Sequence, residues 1–367
     1  MCLGEQSGKF MMRKKQWVLS MIVAGITFLY LAFPVWAAPW AWTWRNPLPQ
    51  GNHLLGVTSN GAMFVAVGLC GTVMTSPDGA SWTEQSTGAS DILQKVAYGN
   101  NIFVAVGHYN VIFTSPNGVT WTKRNPGLPS PAADLLHDVT YAHNTFVAVG
   151  TNGSITTSPD GVNWTKRPSG KMDGLISVAY GANTFVIGGV NGSILTSHDG
   201  VAWTPRTSGT SKWLNGITYR NNTFVAVGDS GTILTSPNGV NWTPRPSPPT
   251  PVLNGITYGG TKFVATGGNG AILSSPDGMT WTKQNFQIYE SLVGVTYGAN
   301  TFVAVGNMGT VVTSTDGAAW VPGKKLAQML SGVTFGANMF VSIGMNGAVL
   351  QAVALDPVKI KMPVSVK

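Results

Sequence analysis

Charge is scarce in this chain and cysteine scarcer. Only 10% of the 367 residues are charged, and the two cysteines are Cys2 and Cys70. Cys2 falls in an N-terminal leader, so one thiol remains afterwards and no internal disulfide staples the fold. Glutamate nearly vanishes as well, with only Glu84 and Glu290 after residue 37. No apolar pattern of helical period follows the leader, which excludes bundles and helical repeats. Basic blocks are also missing. The formal charge is +8, but Lys9, Arg13, Lys14 and Lys15 against Glu5 account for part of it. Without clustered Lys and Arg interleaved with stacking aromatics, a nucleic-acid surface is not expected.

What is present points to many short strands. Glycine (46) and proline (22) are abundant, and 43% of residues are hydrophobic. That is ample apolar material for a core and excludes a disordered chain. Frequent Gly and Pro mark frequent turns.

The first 37 residues read as a secretory signal. Arg13, Lys14 and Lys15 precede an uncharged apolar run from Trp17 to Phe33, followed by Pro34-Val35-Trp36-Ala37. A basic start, an apolar middle and small residues before the cut are the features of an export signal, with cleavage expected after Ala37. If the run stays uncleaved it is an anchor, and the positive-inside rule still places the rest outside the cytoplasm. The chain is therefore expected to be exported, to a periplasmic, cell-surface or secreted location, with membrane contact only through an uncleaved leader.

From residue 54 one phrase recurs. Its clearest copy runs from Leu292 through Phe302 to Trp320. The phenylalanine returns at Phe64, Phe103, Phe146, Phe185, Phe224, Phe263, Phe302 and Phe340, and the tryptophan at Trp82, Trp121, Trp164, Trp203, Trp242, Trp281 and Trp320. A fixed period of this size means a solenoid, propeller or array. Each unit reads as four β runs: Leu-x-Gly-Val-Thr-Tyr, Phe-Val-Ala-Val-Gly, Thr-Ile-Leu-Thr-Ser and Trp-Thr-x-Arg. Gly-x-Asn-Gly between the second and third supplies the positive φ of a tight hairpin, with Asn110 standing for the last Gly in one copy. Ser-Pro-Asp-Gly between the third and fourth is a turn in which each residue has a conformational role.

The eighth copy lacks its tryptophan strand, and Trp42-Thr43-Trp44-Arg45 at the other end mimics it. The expectation is an all-β, eight-bladed β-propeller of four-stranded antiparallel blades over 38–353, closed by an N-terminal strand that completes the last blade. Seven blades plus an extra sheet is the alternative. Residues 354–367 remain as a tail or an added edge strand. Gly56, Gly216, Gly255, Gly294 and Gly332 fit crowded inner strands, and Pro205 and Pro244 fit outer edges. Arg45, Arg124, Arg167, Arg206 and Arg245 are expected as charged outer-edge residues that resist aggregation.

The Ser-Pro-Asp-Gly-x-x-Trp-Thr phrase resembles the Asp-box, or bacterial neuraminidase repeat, found in sialidases and in non-enzymatic propellers such as photosystem II assembly factors. The resemblance covers nearly all of 42–353. It departs by one residue between Asp and Gly; Asn117 and Asn238 replace Asp, and His198 and Thr315 replace Pro. In that family the box is a structural turn. The resemblance therefore implies scaffolding for Ser76, Asp78, Gly79 and Trp82, and for Asp160, Trp164, Asp199, Trp203, Asp277, Trp281, Asp316 and Trp320.

A sialidase also requires three arginines around a carboxylate, a Tyr–Glu pair and an acidic proton donor. Glycoside hydrolysis in general needs two facing carboxylates. Neither remaining glutamate falls on a predicted inner strand, and the arginines lie on outer ones. Tyr98, Tyr141, Tyr180, Tyr219, Tyr258 and Tyr297 recur at one repeat position and read as packing. His53, His108, His137, His143 and His198 lack ligand spacing, and the adjacent cysteine pair of quinoprotein propellers is missing. No catalytic residue, metal or cofactor is assigned.

Two candidate binding regions remain. Where other inner strands carry Gly or Ser, the second and third have Gln94-Lys95 and His137-Asp138. Lys95 and Asp138 would meet at the channel wall, as an ion pair or as part of a polar pocket with His137, His108 and Tyr109. The second-to-third and fourth-to-first connections share one face and vary most, carrying Lys212, Trp213, Asp229, Phe286 and Tyr289. Variable loops on a rigid frame are where binding resides. The expected function is an exported, non-enzymatic binding or assembly scaffold contacting protein or glycan of the cell envelope or extracellular space. A sialidase-type hydrolase with degenerate catalytic residues is the alternative.

Overall fold

A computed structural model describes residues 40–45, 51–128, 134–323, 325 and 327–354. The chain divides into two compact units, 1–37 and 38–367, and every described residue lies in the second. The proposed signal and the tail from 355 onward fall outside the described residues.

Eight sheets of four antiparallel strands follow one another, and in the first seven the strands lie in sequence order. The first seven span 54–85, 93–124, 136–167, 175–206, 214–244, 253–283 and 292–322. The eighth combines Leu330–Gly336, Met339–Gly344 and Val349–Ala354 with Trp40–Trp44, and the N-terminal strand pairs in register from Trp40 opposite Ala354 to Trp44 opposite Leu350. The architecture is thus an eight-bladed propeller whose last blade joins both ends of the described chain, and not seven blades with an extra sheet. Trp42 stacks on Phe340 with ring centroids 6.5 Å apart, close to the 6.2–6.4 Å of the Phe–Trp pairs in other blades. Trp40 adds a second anchor, since its Nε1–H donates to Thr301 Oγ1 in the neighbouring blade at 3.0 Å.

The core lies between blades. Every Phe-Val-Ala-Val strand is buried on both faces, so its run is continuously apolar rather than alternating. Val104, Val106 and Ile112 of one blade pack against Leu136, Val139 and Phe146 of the next. Leu54, Phe64 and Met74 meet Val341, Ile343 and Val349 in the same way, which closes the circle.

The glycine ending each second strand is dictated by close approach. A Cβ at Gly107 would collide with the carbonyl oxygen of Ile92, and the corresponding glycines from Gly68 to Gly344 face the same obstacle. The first-strand glycines answer a weaker demand than crowding predicts. At Gly56 a Cβ would lie 2.9 Å from Lys95 Cα, but at Gly216, Gly255, Gly294 and Gly332 the nearest atoms are 3.4–3.8 Å away. Those positions have room for a side chain.

The turns after the third strand repeat one hydrogen-bond pattern. Asp78 Oδ1 accepts from Ser76 Oγ (3.0 Å) and from the N–H groups of Ala80 (2.9 Å) and Ser81 (2.8 Å). Trp82 Nε1–H donates to Gly79 O at 3.0 Å. Trp164, Trp203 and Trp281 repeat that bond, and Asp160, Asp199, Asp277 and Asp316 repeat the carboxylate pattern. At Trp320 the buried indole nitrogen has no partner among the described residues. Asn117 accepts the same three bonds, so an amide oxygen suffices. Turn N–H donors lower the carboxyls of Asp78, Asp199 and Asp277 below their ordinary value. At Asp160 and Asp316 burial opposes the donors, and the donors prevail.

The outer arginines do more than charge an edge. Nε of Arg124, Arg167, Arg206 and Arg245 donates at 2.7–2.8 Å to Thr114, Thr157, Thr196 and Thr235 on the third strands, and Arg45 binds Gln351 equivalently. These half-buried bonds tie each outer strand to its blade.

Candidate functional site

The two connection types share one face, as the repeat predicts. Asp229 N–H donates to Trp213 O, and Asn307 N–H to Ser291 O, each joining a second-to-third loop to the segment that enters the same blade. On this face Tyr109, Met172, Trp213, Tyr289, Met308 and Met345 are large, apolar and exposed, with Tyr289 85% and Trp213 50% accessible. Three of these are the exposed aromatics among the described large hydrophobics. The methionines were not singled out by the repeat analysis, because an unbranched apolar residue in a loop gives no periodic signal.

Two of the six sit in a conformation they disfavour. The second-to-third loops place their middle residue in the left-handed region; it is Asn152, Asn191, Asn269 and Asn346 in four blades. Tyr109 (φ 59°) and Met308 (φ 51°) occupy the same position. Bulky side chains are rarely found there, and such placements concentrate at functional sites.

The remaining loop residues divide. Lys212 is exposed beside Trp213. Phe286 packs with Ile288 on the core between the sixth and seventh blades, leaving Tyr289 as the projecting aromatic of that loop. Asp229 Oδ1 accepts from Asn215 Nδ2 at 3.1 Å, and its backbone bridges to Val252. Both brace the loops that carry their exposed neighbours. Asp134, which the sequence reading passed over, is buried and accepts from Asn110, Thr151 and Asn152. Asp173 holds Asn191 and Ser193 similarly, so its carboxyl is lowered by these donors.

The second region is the loop-side end of the channel, a cavity of about 300 Å³ lined by first-strand residues of all eight blades. Each first strand carries a bulge after its leucine. In an antiparallel pair a bulge turns a side chain away from the regular register. Lys95, His137 and Asp138 all line this cavity. Lys95 and Asp138 interact electrostatically, but they do not form the close ion pair foreseen. Among the described residues the ion pairs are Lys123–Asp91 and Lys325–Glu290. Asp138 instead uses Oδ1 on its neighbour Val139 N–H and Oδ2 on Val178 N–H of the next blade, both at 3.0 Å. Burial raises its carboxyl, against the lowering effect of Lys95 and the two N–H donors.

His108 and Tyr109 are not among the residues that line this cavity. Burial lowers the His137 imidazole, and the nearby His108 lowers it further. Among the described residues no group of three or more His, Cys, Asp or Glu side chains could hold a metal ion. Glu84 lies exposed on a fourth strand, and Glu290 is bound by Lys325 in a loop.

Comparison with known proteins supports the architecture. Residues 91–208 match the family described as the DUF6242 beta propeller domain. No curated protein matches the chain. Among solved structures, the computationally designed Ika8 protein superposes with a TM-score of 0.71 at 12% identity, covering 84% of this chain and 98% of that one. A structure described as YCF48 bound to D1 peptide gives 0.58 at 18% identity, covering 87% and 97%. Virginiamycin B lyase from Staphylococcus aureus gives 0.58 at 12% identity, covering 86% and 100%. At these identities the likeness is one of fold: this chain is built as a β-propeller, similar over part of its length to the DUF6242 propeller domain.

Proposed function

We propose that the protein is an exported binding or assembly scaffold that docks a protein partner through its loop face. The observation that carries this reading is the gathering of exposed aromatic and methionine side chains there, two of them held at left-handed positions that suit asparagine. Tyr and Trp supply large contact area at low entropic cost, and Met adapts to irregular surfaces. The structural neighbour described as bound to a D1 peptide supports a peptide or protein as the ligand class. We read the Ser-x-Asp-Gly turns as Asp-box scaffolding and the leader as the export signal. A glycan is the second ligand class that exposed aromatics suit.

The test is a crosslinking pull-down of the mature protein from its native envelope and medium, beside a Trp213→Ala/Tyr289→Ala double mutant. A protein recovered with the wild type and lost with the mutant supports the reading. The same partners with both proteins, or none with either, would remove the loop face as the docking surface.

A further inference from the structure

We propose that the loop-side end of the channel is a binding site for a small zwitterion of the α-amino-acid class. The inference is independent of protein docking on the loop face and rests on the uneven ring at the third position of the first strands. Five of the eight blades have glycine there. Consecutive blades two, three and four carry Lys95, Asp138 and Ser177, and all three residues line the 300 Å³ cavity. Cation, anion and hydroxyl thus come from consecutive blades, while the other five blades line the cavity with that glycine, flanked by aliphatic residues and by Asn215, Asn254 and Ser331.

Most polar groups in the cavity wall are already consumed. Asn215 Nδ2 donates to Leu253 O (3.0 Å), Asn254 Nδ2 to Leu292 O (2.8 Å), and Ser331 Oγ–H to Leu54 O (2.6 Å), each stitching one blade to the next. Blades two to four differ. Ser177 Oγ is buried with no hydrogen-bond partner among the described residues, an arrangement that costs free energy unless something binds it. Lys95 is open to the cavity. Asp138 is fixed by two backbone N–H groups yet keeps acceptor capacity, since an ionised carboxylate has about four lone-pair sites.

These three groups select the ligand's charge pattern. A simple anion would meet Lys95 but also the Asp138 carboxylate. A simple cation would meet the reverse conflict. A molecule carrying an ammonium and a carboxylate answers both, its ammonium donating to Asp138 and its carboxylate accepting from Lys95 and the Ser177 hydroxyl. Glycine at the third position of the other five blades leaves space for a side chain, and the volume is at the lower end for small-molecule pockets, roughly 300–1,000 Å³.

Calorimetric titration of the purified chain tests this, with glycine, L-alanine and L-serine as probes and acetate and methylammonium as half-ligands. The expected result is one saturable site for at least one amino acid. Affinity should fall at least about tenfold in Lys95→Met and in Asp138→Asn, and measurably in Ser177→Ala, a tenfold change being about 1.4 kcal/mol. Lys283→Met, on the exposed outer strand of the sixth blade, should leave it unchanged. Absence of heat with all three amino acids overturns the proposal, as does acetate binding equally well or affinity undiminished in Lys95→Met. Because Lys95 makes no hydrogen bond to the frame, that variant decides the matter even if Asp138→Asn fails to fold.

Discussion

The two faces of the ring are built on opposite terms. On the face of the third-to-fourth turns, seven blades repeat one arrangement, in which Asp or Asn accepts from a serine and two backbone N–H groups. The exposed large hydrophobics at the turn tips there are aliphatic or methionine: Val119, Val162, Val201 and Met279. On the other face the glycine frame is just as uniform, yet the exposed side chains are Tyr, Trp, Met and Lys with no repeat pattern. The same backbone is satisfied locally on one side and left to present diverse surface on the other. Closure and rigidity are thus separable from recognition within a single 39-residue unit.

The largest effect should come from breaking the frame beneath the variable face. Gly107→Ala sets a Cβ against the backbone carbonyl of Ile92, which cannot yield as a side chain would, and should cost more than about 5 kcal/mol, beyond ordinary overpacking, read by chemical denaturation. A stability loss below about 1 kcal/mol would show that the loop frame is looser than the turn frame. Next, Trp40→Ala removes a buried indole and its bond to Thr301 at the closing blade. It should cost about 3–5 kcal/mol, and hydrogen exchange should rise first in blade eight.

On the turn face, Asp160→Ala removes the acceptor for Ser158, Val162 and Asn163 and should cost about 1 kcal/mol, as loss of a helix cap does. The same turns predict an acid limb. Their carboxyls are depressed below 3.8 in the folded state, so the stabilisation is present above that value and is lost as pH falls through the lower folded values. Asp138 acts in the opposite sense, because its raised carboxyl is relieved on protonation. An Asp78→Asn/Asp199→Asn/Asp277→Asn triple variant should flatten the acid fall in thermal melting, since Asn117 already fills that role in blade two. An unchanged acid limb would mean these turns do not set it. Smallest of all, Trp213→Ala and Tyr289→Ala should shift stability by less than about 0.5 kcal/mol. If either unfolds the ring, the exposed aromatics are structural and the contrast between faces fails.

Blade number, strand order and the closing strand were legible because the repeat is nearly monotonous and its one defect, at residue 353, is mirrored at Trp42. The role of the turn Asp was legible from the residue types alone. The division of the loop residues was not. Phe286 and Tyr289 are three positions apart in one loop, yet one packs on the core and the other projects, and no local pattern separates them. The Lys95–Asp138 relation was half legible. Adjacency followed from the repeat, but the choice of Asp138 to cap Val178 rather than close on Lys95 depends on where the next blade sets its backbone.

The linear pattern alone settles what is periodic: four strands per unit, eight units, and turns whose φ values only Gly, Asn and Pro tolerate cheaply. These are local requirements, met residue by residue along the chain. Only the closed ring decides what is shared between units. It gathers Lys95, Asp138 and Ser177 around one cavity. It also leaves one hydroxyl without a partner in a cavity to which all eight blades contribute, because contacts 39 or more residues apart have no signature in any single repeat.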